Sequence, residues 1–430
     1  MLRTVSESAG VPIDQINLLA AILAHIPLSY FYRFYPAGNA NKIAARKFYG
    51  AFVGILISVL LFGAIEVSLL VFSSLIFYFL SLKCNTRKIT FKINLVNFLF
   101  LIIVNIWRLI VDYEGNTNNI MLLTMLVVPK QIYFNEFVLK HHINKLSELP
   151  SLFTYISYLY CFVGSLITPI YSLDEYLHFI HLSKYKELNF KWISKLGAAC
   201  LFFIVHITAA NVYGLSELYS KEFASLPIYL KALGIWYLAF FTRLKYYVGW
   251  YISEIPAVIC ELNCHEGKYE NPVRSISFTK VEIYQGLKQR IEFWNVSIAK
   301  WLKHSFYIPL TVDFKLDRER ASLLVFMLSA LWHGFYPSYY VSFFLIQFVS
   351  QIDKMLFRYR SNSVIKSMKP FLDMFLYFNQ DLVLLIFASY KVSNMIIFIK
   401  IVWPVYFMVI LGWVALKMFA KHHKRHHKKE

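Results

Sequence analysis

Long apolar runs recur along this chain, and they constrain its fold more than any other feature. They lie near residues 15–35, 48–82, 91–111, 152–171, 196–214, 227–250, 321–357, 376–398 and 400–420. A helix needs about 20 apolar residues to cross a hydrocarbon core ~30 Å thick. The run at 48–82 is long enough for two helices, with Glu66 between or inside them, and the run at 321–357 is interrupted. A shorter run at 120–139 reads as a re-entrant segment. In lipid only helices and closed barrels satisfy every backbone polar group. The runs predict an all-α, polytopic integral membrane domain of about ten or eleven membrane segments.

Composition agrees. Hydrophobic residues make up 58% of the 430 positions and charged residues only 16%, too few to cover a soluble protein of this length. The 30 Tyr and 9 Trp suit the membrane interface, where one end of the ring is wet and the other apolar. Internal repeats, low-complexity linkers and a soluble domain are missing from the pattern, which predicts a single membrane domain over 1–420. The net charge of +19 is scattered over loops, apart from a basic tail at 421–430. Six basic residues and one acidic residue fall within Lys417–Glu430, a local charge of +5. Such a tail marks the cytosolic side by the positive-inside rule and suits anionic headgroups. The scatter elsewhere argues against a nucleic-acid surface. Cys84, Cys161, Cys200, Cys260 and Cys264 are odd in number and irregularly spaced, which argues against a disulfide framework. Cys260, Cys264 and His265 cluster but lack an evident fourth ligand, so no metal site is expected. The N-terminus lacks the pattern of a cleaved signal peptide.

Two segments carry polar residues where apolar ones are expected. In Lys280–Tyr307, Leu287, Ile291, Trp294, Ile298 and Trp301/Leu302 recur at helical spacing, with Lys288, Arg290, Glu292, Lys300 and Lys303 on other faces. That pattern predicts a basic amphipathic helix in the interface plane. Asn295 flanks its apolar stripe and can turn inwards. In Ala321–Phe344, His333 stands thirteen residues beyond Arg320. At 1.5 Å per residue that is about 20 Å, at or past the middle of the bilayer. Gly334 and Pro337 then break the helix. Broken backbone at membrane depth survives only where protein buries it or a cavity wets it, and an ionisable residue there points to function.

Acyl transfer to an alcohol needs a base for the hydroxyl and a hydrogen-bond donor for the oxygen that becomes negative. His333 and Asn295 fit these roles. His25 and His206, also inside apolar runs, are rivals, since a lone His in such a run is more often a structural hydrogen-bonder. Asn295-Val296-Ser297 is also a glycosylation sequon, but a helix flank beside Trp294 is a poor place for one.

The sequence SALWHGFYPSYY at 329–340 resembles the active-site signature S-A-x-W-H-G-x-x-P-G-Y-Y of the membrane-bound O-acyltransferases. FWNVSIAKWL at 293–302 resembles the W-N-x-x-x-x-x-W-L signature of their lysophospholipid branch. The 38-residue interval from Asn295 to His333 is similar to that branch as well. Residues 151–180 and LKYYVGWYISE at 244–254 are similar to segments of the lysophosphatidylinositol acyltransferases. Ser338 replaces the usual Gly after the Pro, Thr168 replaces the usual Gly before Pro169, and the loop before Lys280 is short. These departures bear on the headgroup, not on the presumed catalytic pair.

The resemblance implies a helical domain enclosing a reaction tunnel, in the endoplasmic reticulum membrane. It implies acyl transfer from acyl-CoA to the free sn-2 hydroxyl of a lysophospholipid, with lysophosphatidylinositol first among acceptors. His333 and Asn295 would be catalytic. Trp294, Trp332, Trp301, Gly334 and Pro337 would shape the tunnel, with packing the stronger expectation for Trp301, and Arg243 and Lys245, with Tyr246, would meet the headgroup. The expected partners are acyl-CoA, the lysophospholipid and the bilayer, with no bound cofactor or metal; the oligomeric state stays open. Two alternatives remain at this point. One is another acceptor: lysophosphatidylcholine, a protein, a sterol or diacylglycerol. The other is a transporter with His333 as proton relay, although the internal repeats common in transporters are missing. The charge of the tail gives a direct expectation: protease added to sealed microsomes removes a tag placed after Glu430, and protection of that tag would reverse the topology.

Overall fold

The computed structural model describes residues 13–35, 38–111, 119–145, 148–182, 190–262, 274–283 and 286–426, with all regular elements helical. Cys264, His265 and the first twelve residues lie outside the described residues. The N-terminal half contains α1 (Ile13–Arg33), α2 (Ala40–Phe62), α3 (Ala64–Ser81), α4 (Arg87–Val111), α5 (Ile120–Ile143), α6 (Leu152–Leu159) and α7 (Leu173–Ile180). Then come α8 (Lys191–Val212), the short α9 (Lys221–Ser225) and the long α10 (Ile228–Ile259). Four short helices follow: α11 (Phe278–Glu282), α12 (Leu287–Glu292), α13 (Val296–Leu302) and α14 (Ile308–Val312). The chain closes with α15 (Arg318–His333), α16 (Pro337–Arg358), α17 (Ser363–Ala388) and α18 (Val392–His426).

Six described helices are long and apolar enough to cross a membrane: α2, α3, α4, α5, α8 and residues Ile365–Ala388 of α17. The run at 48–82 divides at Gly63, whose φ of 96° ends α2 and places Glu66 in the first turn of α3. The break in the last two runs falls at 389–391, and α18 continues past residue 420, where the sequence marks the tail, to His426.

Three expectations are corrected. The run at 120–139 is not re-entrant. It belongs to the continuous helix α5, and 83% of its apolar window is buried inside the protein. Its polar residues lower its hydropathy because they face other helices. Gln131 donates to Ser74 (3.1 Å) and Asn135 to Asn94 (2.8 Å), and the Lys130 ammonium donates to the Leu159 carbonyl (3.3 Å) over the Tyr171 ring.

The run at 152–171 is not a span. It forms α6 and then a buried irregular stretch. Protein supplies partners for polar groups in it, as membrane depth demands: Phe162 N–H donates to Gly50 O, Tyr158 Oη to Tyr171 O and Tyr171 Oη to Val163 O. Lys280–Tyr307 is not one helix either. Gly286 at φ 121° and Asn295 at φ 48° break it. Leu287, Ile298 and Trp301 are buried as their spacing implies, but the breaks also turn Arg290 inwards.

The irregular stretch fits against α2 only because residue 54 lacks a side chain. A Cβ there would stand 1.9 Å from the Tyr160 carbonyl oxygen and 2.9 Å from the Phe162 nitrogen, both backbone. Gly54→Ala should therefore destabilise the detergent-solubilised protein by ~1–3 kcal/mol or more, read as a lower thermal midpoint. Gly197→Ala, with nothing within 4 Å, should leave the midpoint unchanged or raise it.

Candidate active site

His333 is the last residue of α15. Gly334 follows at φ 123°, a backbone region that L side chains rarely adopt, and its N–H donates to the Ala330 and Leu331 carbonyls (3.1 and 3.2 Å). Pro337 opens α16, where its missing N–H costs nothing. The helix end is held from outside as well. Asn105 of α4 donates to the Leu331 carbonyl (3.5 Å), and the Trp332 indole N–H donates to the Met125 carbonyl of α5 (2.9 Å). The His333 ring packs against Tyr339, Phe343 and Phe387, with centroids 5.6, 5.4 and 5.0 Å away.

Asn295 stands between α12 and α13 in the left-handed conformation, which Asn tolerates better than most residues. Its neighbours are pinned. Val296 N–H donates to Ser275 O (2.8 Å) and Ser277 N–H to Phe293 O (3.2 Å). The Glu254 carboxylate of α10 accepts the N–H groups of Ser275 and Ile276 (2.5 and 3.2 Å) and is paired with Lys195. Trp294 is boxed edge-on by Trp250, Tyr246 and Tyr247. The Asn295 side-chain oxygen is buried without a hydrogen-bond partner. Such an orphaned atom in a native fold calls for an explanation.

One cavity of about 360 Å³ brings these residues together. That volume lies within the range of ligand sites. His333, Asn295, Trp294, Arg243 and Tyr246 all border it. Along α15 its wall runs from Ser322 through Ser329 to His333, a length of about 16 Å at the helical rise. The wall is mainly apolar, with Ile298, Leu302, Val325, Phe326 and Phe343 among its residues.

The remaining expected site residues do not border it. Trp301 is fully buried against Phe98 and Phe306, and Trp332 packs in the same apolar cluster. Gly334 and Pro337 shape the backbone after His333, and Lys245 is exposed beside the Tyr246 ring. Arg243 is in the wall, but its guanidinium is already committed to Glu282 and Asp381. Sequence reasoning missed Arg290, Gln380, Asp381 and Trp250, which also line the cavity. Asp381 had a usable signal, an ionisable residue inside an apolar run. Arg290 had none, because its inward turn depends on the breaks at Gly286 and Asn295.

The rival histidines are occupied elsewhere. His25 Nδ1 bonds the Ala21 carbonyl (2.6 Å) and its Nε2 lies 3.5 Å from Ser165 Oγ. His206 Nδ1 bonds the Phe241 carbonyl (2.8 Å). Neither borders the large cavity. The sequon is not displayed on a loop, since Asn295 lines the cavity and Ser297 is buried.

Comparison with known proteins decides the family. The profile of the membrane-bound O-acyltransferase family matches residues 52–397. The chain belongs to the membrane-bound O-acyltransferase family. It is an integral membrane protein and an O-acyltransferase, and the transporter reading falls away. A lysophospholipid acyltransferase of Schizosaccharomyces pombe is 27% identical over 49% of this chain and 44% of its own length. Lysophospholipid acyltransferase 2 of Arabidopsis thaliana is 26% identical over 84% of this chain and 82% of its own. A membrane-bound acylglycerophosphatidylinositol O-acyltransferase of Danio rerio is 24% identical over 47% and 48%. The chain thus spans less than half of the S. pombe and D. rerio proteins and most of the A. thaliana one.

For this acyltransferase, His333→Ala should lower turnover by ~10²–10⁴-fold in purified, folded protein. His206→Ala should retain most of it. Asn295→Ala should also cripple turnover while Ser297→Ala, which destroys the sequon equally, should not. Equal loss in both sequon variants would point to a glycan instead.

Proposed function

We propose that this chain is an acyl-CoA:lysophospholipid O-acyltransferase, with His333 as general base and Asn295 as the amide that steadies the reacting oxygens. The observation that carries this reading is the meeting of the two residues, 38 positions apart and on separate elements, at one cavity of ligand size. The imidazole takes the proton of the free glycerol hydroxyl, at the sn-2 position, and the oxygen attacks the thioester carbonyl. The new C–O bond forms as the C–S bond breaks. The CoA thiolate leaves and recovers the proton from the imidazolium. The Asn295 side-chain oxygen, with no protein partner, is free to accept from the acceptor hydroxyl, and the NH₂ of the same amide is the group that would donate to the developing oxyanion. The apolar wall between Ser322 and His333 suits an acyl chain, and Trp294 in its aromatic box closes the side next to Asn295. No bound metal or redox group enters these steps, because CoA carries the acyl group. The reading places ten or eleven segments in the endoplasmic reticulum membrane, with the tail cytosolic.

The preferred acceptor on this reading is lysophosphatidylinositol. Support comes from the likeness of 151–180 and 244–254 to the inositol-lipid enzymes, and from hydrogen-bonding side chains at one part of the cavity. Arg243, Arg290, Gln380 and Asp381 stand together there, a set suited to a headgroup with several hydroxyls. The names of the relatives do not choose, since their identities to this chain are nearly equal. A choline headgroup would favour an aromatic cage, and Trp250, Trp294 and Tyr246 offer material for one. With lysophosphatidylinositol and lysophosphatidylcholine at equal concentration and one acyl-CoA, the inositol lipid should be consumed faster. Faster consumption of the choline lipid would refute the headgroup assignment and leave the reaction standing.

A further inference from the structure

Four charged side chains are buried where α10, α11, α12 and α17 meet. Arg243 of α10 grips Glu282 of α11 with two parallel bonds, Nε to Oε1 (2.7 Å) and Nη2 to Oε2 (2.9 Å). Its Nη1 donates to Asp381 Oδ1 of α17 (2.5 Å). Arg290 of α12 donates to the same Oδ1 (3.0 Å) and to Gln380 Oε1 (3.1 Å), and its guanidinium lies 3.8 Å from the centre of the Tyr377 ring. Glu282 also accepts from the hydroxyls of Tyr247 and Tyr377. Two cations and two anions balance. Asp381 is fully buried, and one of its oxygens serves both arginines.

Such a cluster is an expensive way to gain stability. Taking charges out of water costs several kcal/mol per ion, and apolar residues of similar volume often serve as well. Its position gives it another use. Arg290 stands five residues before Asn295, on the short helix that leads directly into it. Arg290 and Asp381 both border the cavity that holds Asn295 and His333. A six-residue helix cannot hold its own place, because isolated helices of fewer than ~12 residues are marginal. On its N-terminal side this helix begins at Gly286, a residue that fixes little. Leu287 anchors its start in an apolar cluster with Ile346 and Val349 of α16, and the bonds of Arg290 to α17 hold the end that leads into Asn295.

We propose that Arg290 and Asp381 form a positioning tether, which fixes the Asn295-bearing segment against α17 at the geometry the acyl transfer needs. The inference rests on the reading of Asn295 and His333 as the reacting pair. Neither Arg290 nor Asp381 touches the reacting atoms in this account. Arg290 supplies the planar fork that reaches Gln380 and Asp381 together, and Lys has no such fork.

The test compares purified variants in one detergent. Arg290→Gln/Asp381→Asn removes one charge of each sign and leaves Arg243 paired with Glu282. Arg290→Lys keeps the charge and loses the fork. The exposed pair Lys288–Glu292 on the same helix supplies the control Lys288→Ala. The double variant should elute as folded protein, with kcat down on the order of 10²-fold and KM for acyl-CoA unchanged, as expected when a reacting group is misplaced by about an ångström. Arg290→Lys should lower kcat in the same manner but less, and Lys288→Ala should match wild type. Wild-type kcat in the folded double variant would overturn the tether and make the cluster a matter of charge balance. If the double variant does not fold, Arg290→Lys decides, and unchanged kcat there overturns the proposal. His333→Ala and Asn295→Ala run alongside. If these two retain turnover, the underlying site reading fails; if they lose it while the tether variants keep it, only the tether fails.

Discussion

A backbone amide or carbonyl inside hydrocarbon must find a partner in the protein, and this requirement shapes the centre of the molecule. The chain breaks its helix at His333, deep in an apolar run. The freed groups are not left to lipid: Gly334 N–H turns back onto the Ala330 and Leu331 carbonyls, and Asn105 reaches across from α4 to the Leu331 carbonyl. The same demand explains the buried stretch after α6, where Tyr hydroxyls take up carbonyls that no helix satisfies. α5, the most enclosed of the candidate spans, supplies the Met125 carbonyl that receives the Trp332 indole. Broken backbone and enclosing helices are one arrangement, and the cavity occupies the space between them.

Polar side chains inside the protein fall into two kinds. Gln131, Asn135, Asn94, Ser74 and Ser81 join helices to one another through hydrogen bonds. They act as interhelical glue, each worth about a kcal/mol or less. Around the cavity the accounts do not close. His333 has aromatic neighbours in place of hydrogen-bond partners, and the Asn295 oxygen has none. Other buried polar atoms also lack partners, Gln131 Oε1 and Tyr155 Oη among them, but His333 and Asn295 border the cavity, where a substrate can supply the missing bonds. The ion cluster of Arg243, Glu282, Arg290 and Asp381 lies between the two kinds, balanced in charge yet contributing Arg243, Arg290 and Asp381 to the cavity wall.

Much of this was legible in the residues, and the misses have physical causes. The membrane character, the division at 48–82 and the helix end at His333 follow from local rules of apolar length and of Gly and Pro. The runs at 120–139 and 152–171 were misread for a shared reason. Hydropathy reports the average affinity of a segment for lipid, and it cannot distinguish lipid on the outside from protein on the inside. α5 is polar enough to look short because its polar residues meet other helices. The stretch after α6 is apolar enough to look like a span because protein surrounds it. Arg290 was placed on the wet face by a helical wheel that assumed an unbroken helix from Lys280 to Tyr307, and the breaks at Gly286 and Asn295 invalidated the wheel. The family resemblance puts Trp332 in the tunnel, whereas packing is the stronger expectation for Trp301. Both rings fill the core behind it.

The sequence by itself determined that this chain is a helical membrane protein, and it singled out His333 and Asn295 by motif and spacing. Those properties are local: the length of an apolar run, the conformational demands of Gly and Pro, and the identity of a few consecutive residues. The tertiary structure decided that the two residues share one cavity, that His25 and His206 do not, and that Arg243 is committed to carboxylates. It also decided that Asp381 joins helices separated by more than a hundred residues. These are relations between distant segments, and they depend on how helices pack and where a break redirects the chain. No local pattern encodes that direction, because a single left-handed residue at 295 reorients every side chain that follows it.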